Sequence, residues 1–145
     1  LTYLLDVNVL IALLDPAHTA HDDAHRWFEN TGQTAWATCP ITENGVMRIV
    51  GHPKYPNSPG SPALVAAIVK TLRALAGHYF WVDDVSLVGA AGVDPSHILT
   101  PGQVTDSYLL ALAVAHQGQL ATFDRKLSTA AIKGGKSALC LIPSG

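Results

Sequence analysis

Residues 2–5, TYLL, form a short unbroken apolar run that ends on Asp6, and VNVLIALL follows directly over 7–14. The first run predicts a buried strand. The second predicts a helix closed at Asp15–Pro16, because proline cannot continue a helix. Another helix is expected over 18–30, where Ala20, Ala24, Trp27 and Phe28 give one apolar stripe and Gly32 lies just past the end. TAWATC at 34–39 predicts a second strand, and Pro40 and Thr42 open a helix that ends near Gly51. The segment 52–62, HPKYPNSPGSP, holds four of the nine prolines and predicts a stiff loop. Beyond it the pattern predicts a helix over 62–77, a strand over 79–82, a short helix over 85–92 and a connector over 94–102. The strongest helix is expected over 103–118, with strands over 119–122 and 137–143.

Strands and helices thus alternate, and the strands are continuous apolar runs. That combination argues for a parallel sheet covered on both faces, an α/β fold. A length of 145 residues suits one domain spanning 1–145. The formal net charge is −2, from nine basic and eleven acidic residues, so no general nucleic-acid or membrane footprint is present. A polyanionic partner has to be held locally or through metal ions. Cys39 and Cys140 lack any paired spacing, which fits a reducing, cytoplasmic setting. No apolar run reaches the roughly 18 residues that span a bilayer. Asp6 interrupts the first apolar segment and no basic residue precedes it, so a signal peptide is not expected there.

Asp6 ends the first expected strand and Asp124 stands just beyond the fourth. Glu43 and Asp106 fall in the first turns of helices. A parallel sheet gathers such strand-to-helix transitions at one edge, where sites form. Each carboxylate taken singly has a plainer reading as a helix cap. Together they form a group of like charges that a divalent cation would relieve, and oxygen ligands of this kind suit Mg²⁺ or Mn²⁺.

The stretches LLDVNVLIALL, ITENGVMRIV and VTDSYLLALAVAHQGQLATFDRKL, in that order, resemble PIN-domain proteins, and among them VapC-type toxin ribonucleases. The third stretch is the most specific, with an Asp opening an alanine-rich helix, then a strand, then TFD. The resemblance implies a PIN-like three-layer sandwich, with a five-stranded parallel sheet flanked by helices. It implies Mg²⁺- or Mn²⁺-dependent cleavage of RNA, often tRNA or ribosomal RNA, leaving 5′-phosphate and 3′-hydroxyl ends. By this likeness Asp6, Glu43, Asp106 and Asp124 match the acidic quartet, Asn8 the polar residue after the first Asp, and Thr122 the hydroxyl of TxD. Asp6 and Asp106 are the expected direct metal ligands, with Glu43 and Asp124 acting directly or through water. A VapB-type antitoxin, a homodimer and a heterotetramer or larger complex are the implied partners. Val7 departs from the threonine common after the first Asp and is expected to face the core.

Asn8 is expected to orient Asp6 or a bound water. Arg125 and Lys126, with Lys133 and Lys136 behind them, are candidates for gripping RNA phosphates, or else form a solvated basic surface. His21 and His25 are spaced i,i+4 as a zinc pair can be, but with His18 they are read as solvent-exposed. Asp83 and Asp84 are expected to cap a helix at Val85–Ser86. The surplus apolar helix surface suggests a dimer face or an antitoxin groove. Competing functions are a metal-binding nucleic-acid module, a DNA-directed nuclease and a haloacid-dehalogenase-like phosphatase. The last needs a second Asp where Asn8 stands.

Overall fold

In the computed structural model, which describes residues 1–145, every strand is only three or four residues long. They are β1 (Tyr3–Leu5), β2 (Trp36–Thr38), β3 (His78–Phe80), β4 (Gln119–Thr122) and β5 (Leu139–Leu141). All pair in parallel in one sheet of order β3-β2-β1-β4-β5. The three central strands, β1, β2 and β4, hold because they are apolar on both faces. Leu5, Trp36 and Ala121 join one core, while their neighbours Leu4, Ala37 and Leu120 join the other.

The first core is closed by α1 (Val7–Leu14), α2 (His21–Asn30), α3 (Pro40–Val50) and α4 (Pro62–Arg73). The second is closed by α5 (Val104–Ala115) and the irregular segment around Leu127–Ala138. Leu109 to Ala113 are all buried, so α5 is apolar nearly all round, as a helix wedged under chain on both sides must be. The result is the expected three-layer α/β arrangement. No helix is long and apolar enough to cross a membrane.

Local chemistry sets the ends. Asp15 closes α1, its N–H reaching the Ile11 carbonyl, and Pro16 follows. Its buried carboxylate accepts from the Ala17 N–H, Asn57 Nδ2 and the Tyr55 hydroxyl, pinning the proline-rich loop to the helix. His21 Nδ1 lies 2.7 Å from the Ala12 carbonyl oxygen and His25 Nε2 2.9 Å from that of Leu13. These histidines are therefore not free in solvent as expected. They are half-buried and satisfy carbonyls that the end of α1 leaves without intrahelical partners, while His18 Nδ1 accepts from the Ala20 N–H. Val7 packs against Gly45 of α3, where a Cβ would come within 2.7 Å of the valine methyl. That close approach brings α3 against α1.

The short helix expected over 85–92 does not form. Gly89 and Gly92 sit at φ +75° and +83°, which a right-handed helix cannot contain. Asp83 and Asp84 consequently cap nothing. Asp83 accepts from the Tyr108 hydroxyl at 2.9 Å and Asp84 faces His116 Nε2 at 3.1 Å, which ties this segment to α5. Cys39 and Cys140 are free thiols.

Candidate active site

Strand order places β1 between β2 and β4. The chain runs outward to β3 on one side and to β5 on the other, so the carboxyl ends of β1 and β4 form the topological switch point. Asp6 leaves β1 there and is buried. One oxygen, Oδ1, accepts from the Val7 N–H at 2.8 Å, so the capping role is real. The other, Oδ2, accepts from the Thr122 hydroxyl at 2.7 Å, across the strand pair. Thr122 in turn accepts from Asn8 Nδ2 at 3.2 Å and from the Asp124 N–H at 3.0 Å. Asn8 Oδ1 accepts from the Phe123 N–H at 3.3 Å. Asn8 therefore holds the β4 turn and reaches Asp6 through Thr122.

Asp106 projects from the first turn of α5 and accepts no hydrogen bond from the protein, so it is not a cap. Burial, then the charges of Asp6 and Asp124, push its pKa up to about 6. Burial also raises Asp6, against the hydrogen bonds from Thr122 and Val7, and Asp124 adds to the rise. Asp6, Asp106 and Asp124 are thus electrostatic neighbours, and none has a basic partner. Asp124 caps no helix, since a turn follows, and its Oδ1 accepts from the Lys126 N–H.

Glu43 sits apart. Its Oε2 accepts from the Thr38 hydroxyl at 2.7 Å, and Arg73 Nη1 of α4 lies 3.2 Å away. Cap duty on α3 falls instead to Thr42, whose hydroxyl accepts from the Cys39 N–H. Thr38, Arg73 and His78 were missed by sequence reading. The one available signal was that β2, like β4, ends in threonine. Arg125 Nη2 donates to the Ile142 carbonyl, so this candidate RNA contact also fastens the C-terminal segment, while Lys126 is exposed.

No three His, Cys, Asp or Glu side chains converge into a ready ligand set as they stand. In kind the donors fit a hard divalent cation: oxygen ligands only, mutually repelling, with Asp106 lacking any protein donor.

A doubly covered parallel sheet with carboxylates gathered at its switch point defines an α/β protein with an acidic centre. The chain belongs to the PIN-domain family, whose profile matches residues 3–133. Three relatives from Mycobacterium tuberculosis align over most of both chains. Ribonuclease VapC44 is 44% identical over 131 residues, 90% of this chain and 92% of its own. Ribonuclease VapC39 is 42% identical over 134 residues, 92% of this chain and 96% of its own. Ribonuclease VapC38 is 40% identical over 139 residues, 96% of each. PIN-domain ribonucleases of the VapC type are in general dependent on a divalent metal.

Proposed function

We propose that this chain is the toxin of a toxin–antitoxin pair and acts as a Mg²⁺- or Mn²⁺-dependent endoribonuclease in the cytoplasm. The observation that carries this reading is the set of unpaired, mutually repelling carboxylates Asp6, Asp106 and Asp124 at the switch point. The kinship with named ribonucleases supplies the substrate class. When bound, the cation supplies an activated water and neutralises charge developing on the phosphate. Asp6 and Asp106 are its direct ligands in this reading. Asp124 and Glu43 complete the set, directly or through water. Thr122 fixes the rotamer of Asp6, and Asn8 fixes Thr122. In this reading Lys126, exposed two residues from Asp124, meets a phosphate, with Arg125 beside it. Products carrying 5′-phosphate and 3′-hydroxyl ends belong to the same reading, with tRNA or ribosomal RNA as target.

The whole of 1–145 serves as one PIN unit. Exposed Ile49, Leu64 and Ile68 on α3 and α4 suit burial by a VapB-type antitoxin or a second copy, in a homodimer or heterotetramer. The test is cleavage of purified total RNA with Mg²⁺, Mn²⁺ or EDTA, by wild type and Asp6→Ala. Discrete fragments that need metal and vanish in the variant are expected. Metal-independent or absent cleavage by folded, antitoxin-free protein overturns the reading.

A further inference from the structure

A cavity of about 560 Å³ lies between α3 and α4, and none of Asp6, Asp106 and Asp124 lines it. Its size is within the roughly 300–1,000 Å³ of small-ligand sites. The floor is apolar, with Met47 and Val69, the rim carries Lys70, Arg73 and His78, and Glu43 lines one wall. Lys70 and Arg73 are i,i+3 on α4 and so rise from one face. Lys70 has no ion-pair partner. Arg73 commits only Nη1, to Glu43; Nη2 and Nε donate to nothing in the protein, and the side chain is 39% exposed. Its guanidinium lies 4.8 Å from the centroid of Phe80, a ring exposed on the edge strand β3. Thr38 spends its only hydroxyl proton on Glu43, so His78 must supply the proton in its 2.7 Å contact with Thr38 from Nε2. In the neutral ring, Nδ1 is then left as an acceptor. Burial and the nearby Arg73 charge both lower its pKa, which favours that neutral form.

Two basic side chains on one helix face, an apolar floor and an acceptor on the rim are parts from which single-stranded nucleic acid is gripped. We propose that this cavity is a nucleotide subsite for single-stranded RNA, in which Lys70 and Arg73 hold a phosphate flanking the acidic centre and the apolar floor receives the adjoining base. The assignment rests on the ribonuclease reading for its substrate class. It adds that the chain grips RNA on the α3–α4 side of the acidic centre as well as near Lys126.

The test separates binding from cleavage. Affinity of a fluorescent, unstructured RNA 12-mer is measured in EDTA by anisotropy against salt, for wild type, Lys70→Ala, Arg73→Gln and Lys54→Ala. Lys54 is exposed on the proline-rich loop and controls for the loss of one charge. The subsite requires that Lys70→Ala and Arg73→Gln each weaken binding several-fold and lower the slope of log affinity against log salt by about 0.7, as loss of one single-strand phosphate contact does. Lys54→Ala should change neither beyond the error. In ¹⁵N spectra of the wild type, a mixture of the four 5′-mononucleotides should shift resonances of Lys70, Arg73 and His78. Equal affinity and slope for all four proteins overturns the subsite even if the wild type cleaves RNA with metal. Binding that depends on Lys70 without any metal-dependent cleavage sustains the subsite and instead removes the catalytic reading. Shifts produced by a glutamate-rich peptide and not by nucleotides assign the cavity to a protein segment and overturn the proposal.

Discussion

Two strands of the sheet end in a buried threonine that donates at 2.7 Å to a carboxylate: Thr122 of β4 to Asp6, and Thr38 of β2 to Glu43. Around Glu43 the charge is already answered, because Arg73 stands against it. Around Asp6 it is not. The charges that act on it are those of Asp106 and Asp124, and the hydrogen bonds come from neutral donors. Identical local chemistry at two strand ends therefore yields one self-neutralised site and one that invites a cation. The difference lies in a neighbour contributed by α4 on one side and by α5 on the other.

The most damaging change should fall on the unanswered side. On the proposed reading Asp6→Asn removes a ligand of a cation that would contribute several kcal/mol of charge stabilisation, so RNA cleavage should drop about a thousandfold while the fold persists. Circular dichroism and a cleavage time course check the two halves of that statement. Thr122→Val leaves the carboxylate but frees its rotamer, a supporting-shell loss expected to cost about 10–100-fold. Thr38→Val makes the same cut on the other side, where Arg73 still holds Glu43, and should cost less. Equal losses from the two threonines would erase the asymmetry.

Much of this was legible in sequence. The apolar runs found all five strands, with Asp6 and Asp124 placed at strand ends and Glu43 and Asp106 in first helical turns, because burial on both faces of the central strands leaves a clear pattern. Short-range signals failed where distant residues decide. Nothing near Asp83 announces Tyr108, and nothing near His21 announces an α1 carbonyl. Arg73 lies 30 residues beyond Glu43 and reads as an ordinary basic residue in a last helical turn. The helix expected over 85–92 was an error of weighting, since Gly89 and Gly92 were visible and should have counted as breakers.

Arg73 offers a sharper cut through the comparison than either threonine. In the free protein it competes with any added cation for Glu43, so Arg73→Gln should tighten Mn²⁺ binding a few-fold by removing a fixed positive charge. The same substitution should weaken RNA binding. Calorimetry with Mn²⁺ and RNA anisotropy would then move in opposite directions, an outcome that simple unfolding cannot produce. Parallel loss of both would mean that Arg73 only braces α4 against α3.

The smallest expected effect is on stability, and its sign distinguishes the two sides. Asp106 takes up its proton near pH 6 in the folded, metal-free protein and near 3.8 when unfolded. Between those values the native state holds more protons than the unfolded state, so stability should fall as pH rises from about 4 to 6 and level off above. Asp6, raised in the same direction, adds to the fall. Asp15 and Asp94 are shifted downward, so their contributions are lost only below that window. His78, lowered by burial and Arg73, works oppositely as pH rises toward 6.5. Urea midpoints of wild type minus those of Asp106→Asn isolate the Asp106 share from these backgrounds. That difference should decline through the window in EDTA. Mg²⁺ should abolish the decline, because a bound cation favours the ionised carboxylates that protons otherwise neutralise. The corresponding difference for Glu43→Gln should show a smaller Mg²⁺ response, since Arg73 already answers part of the Glu43 charge. A Mg²⁺ response of equal size at both carboxylates would show that the ion pair yields to metal, and that the two ends of the site are electrostatically one.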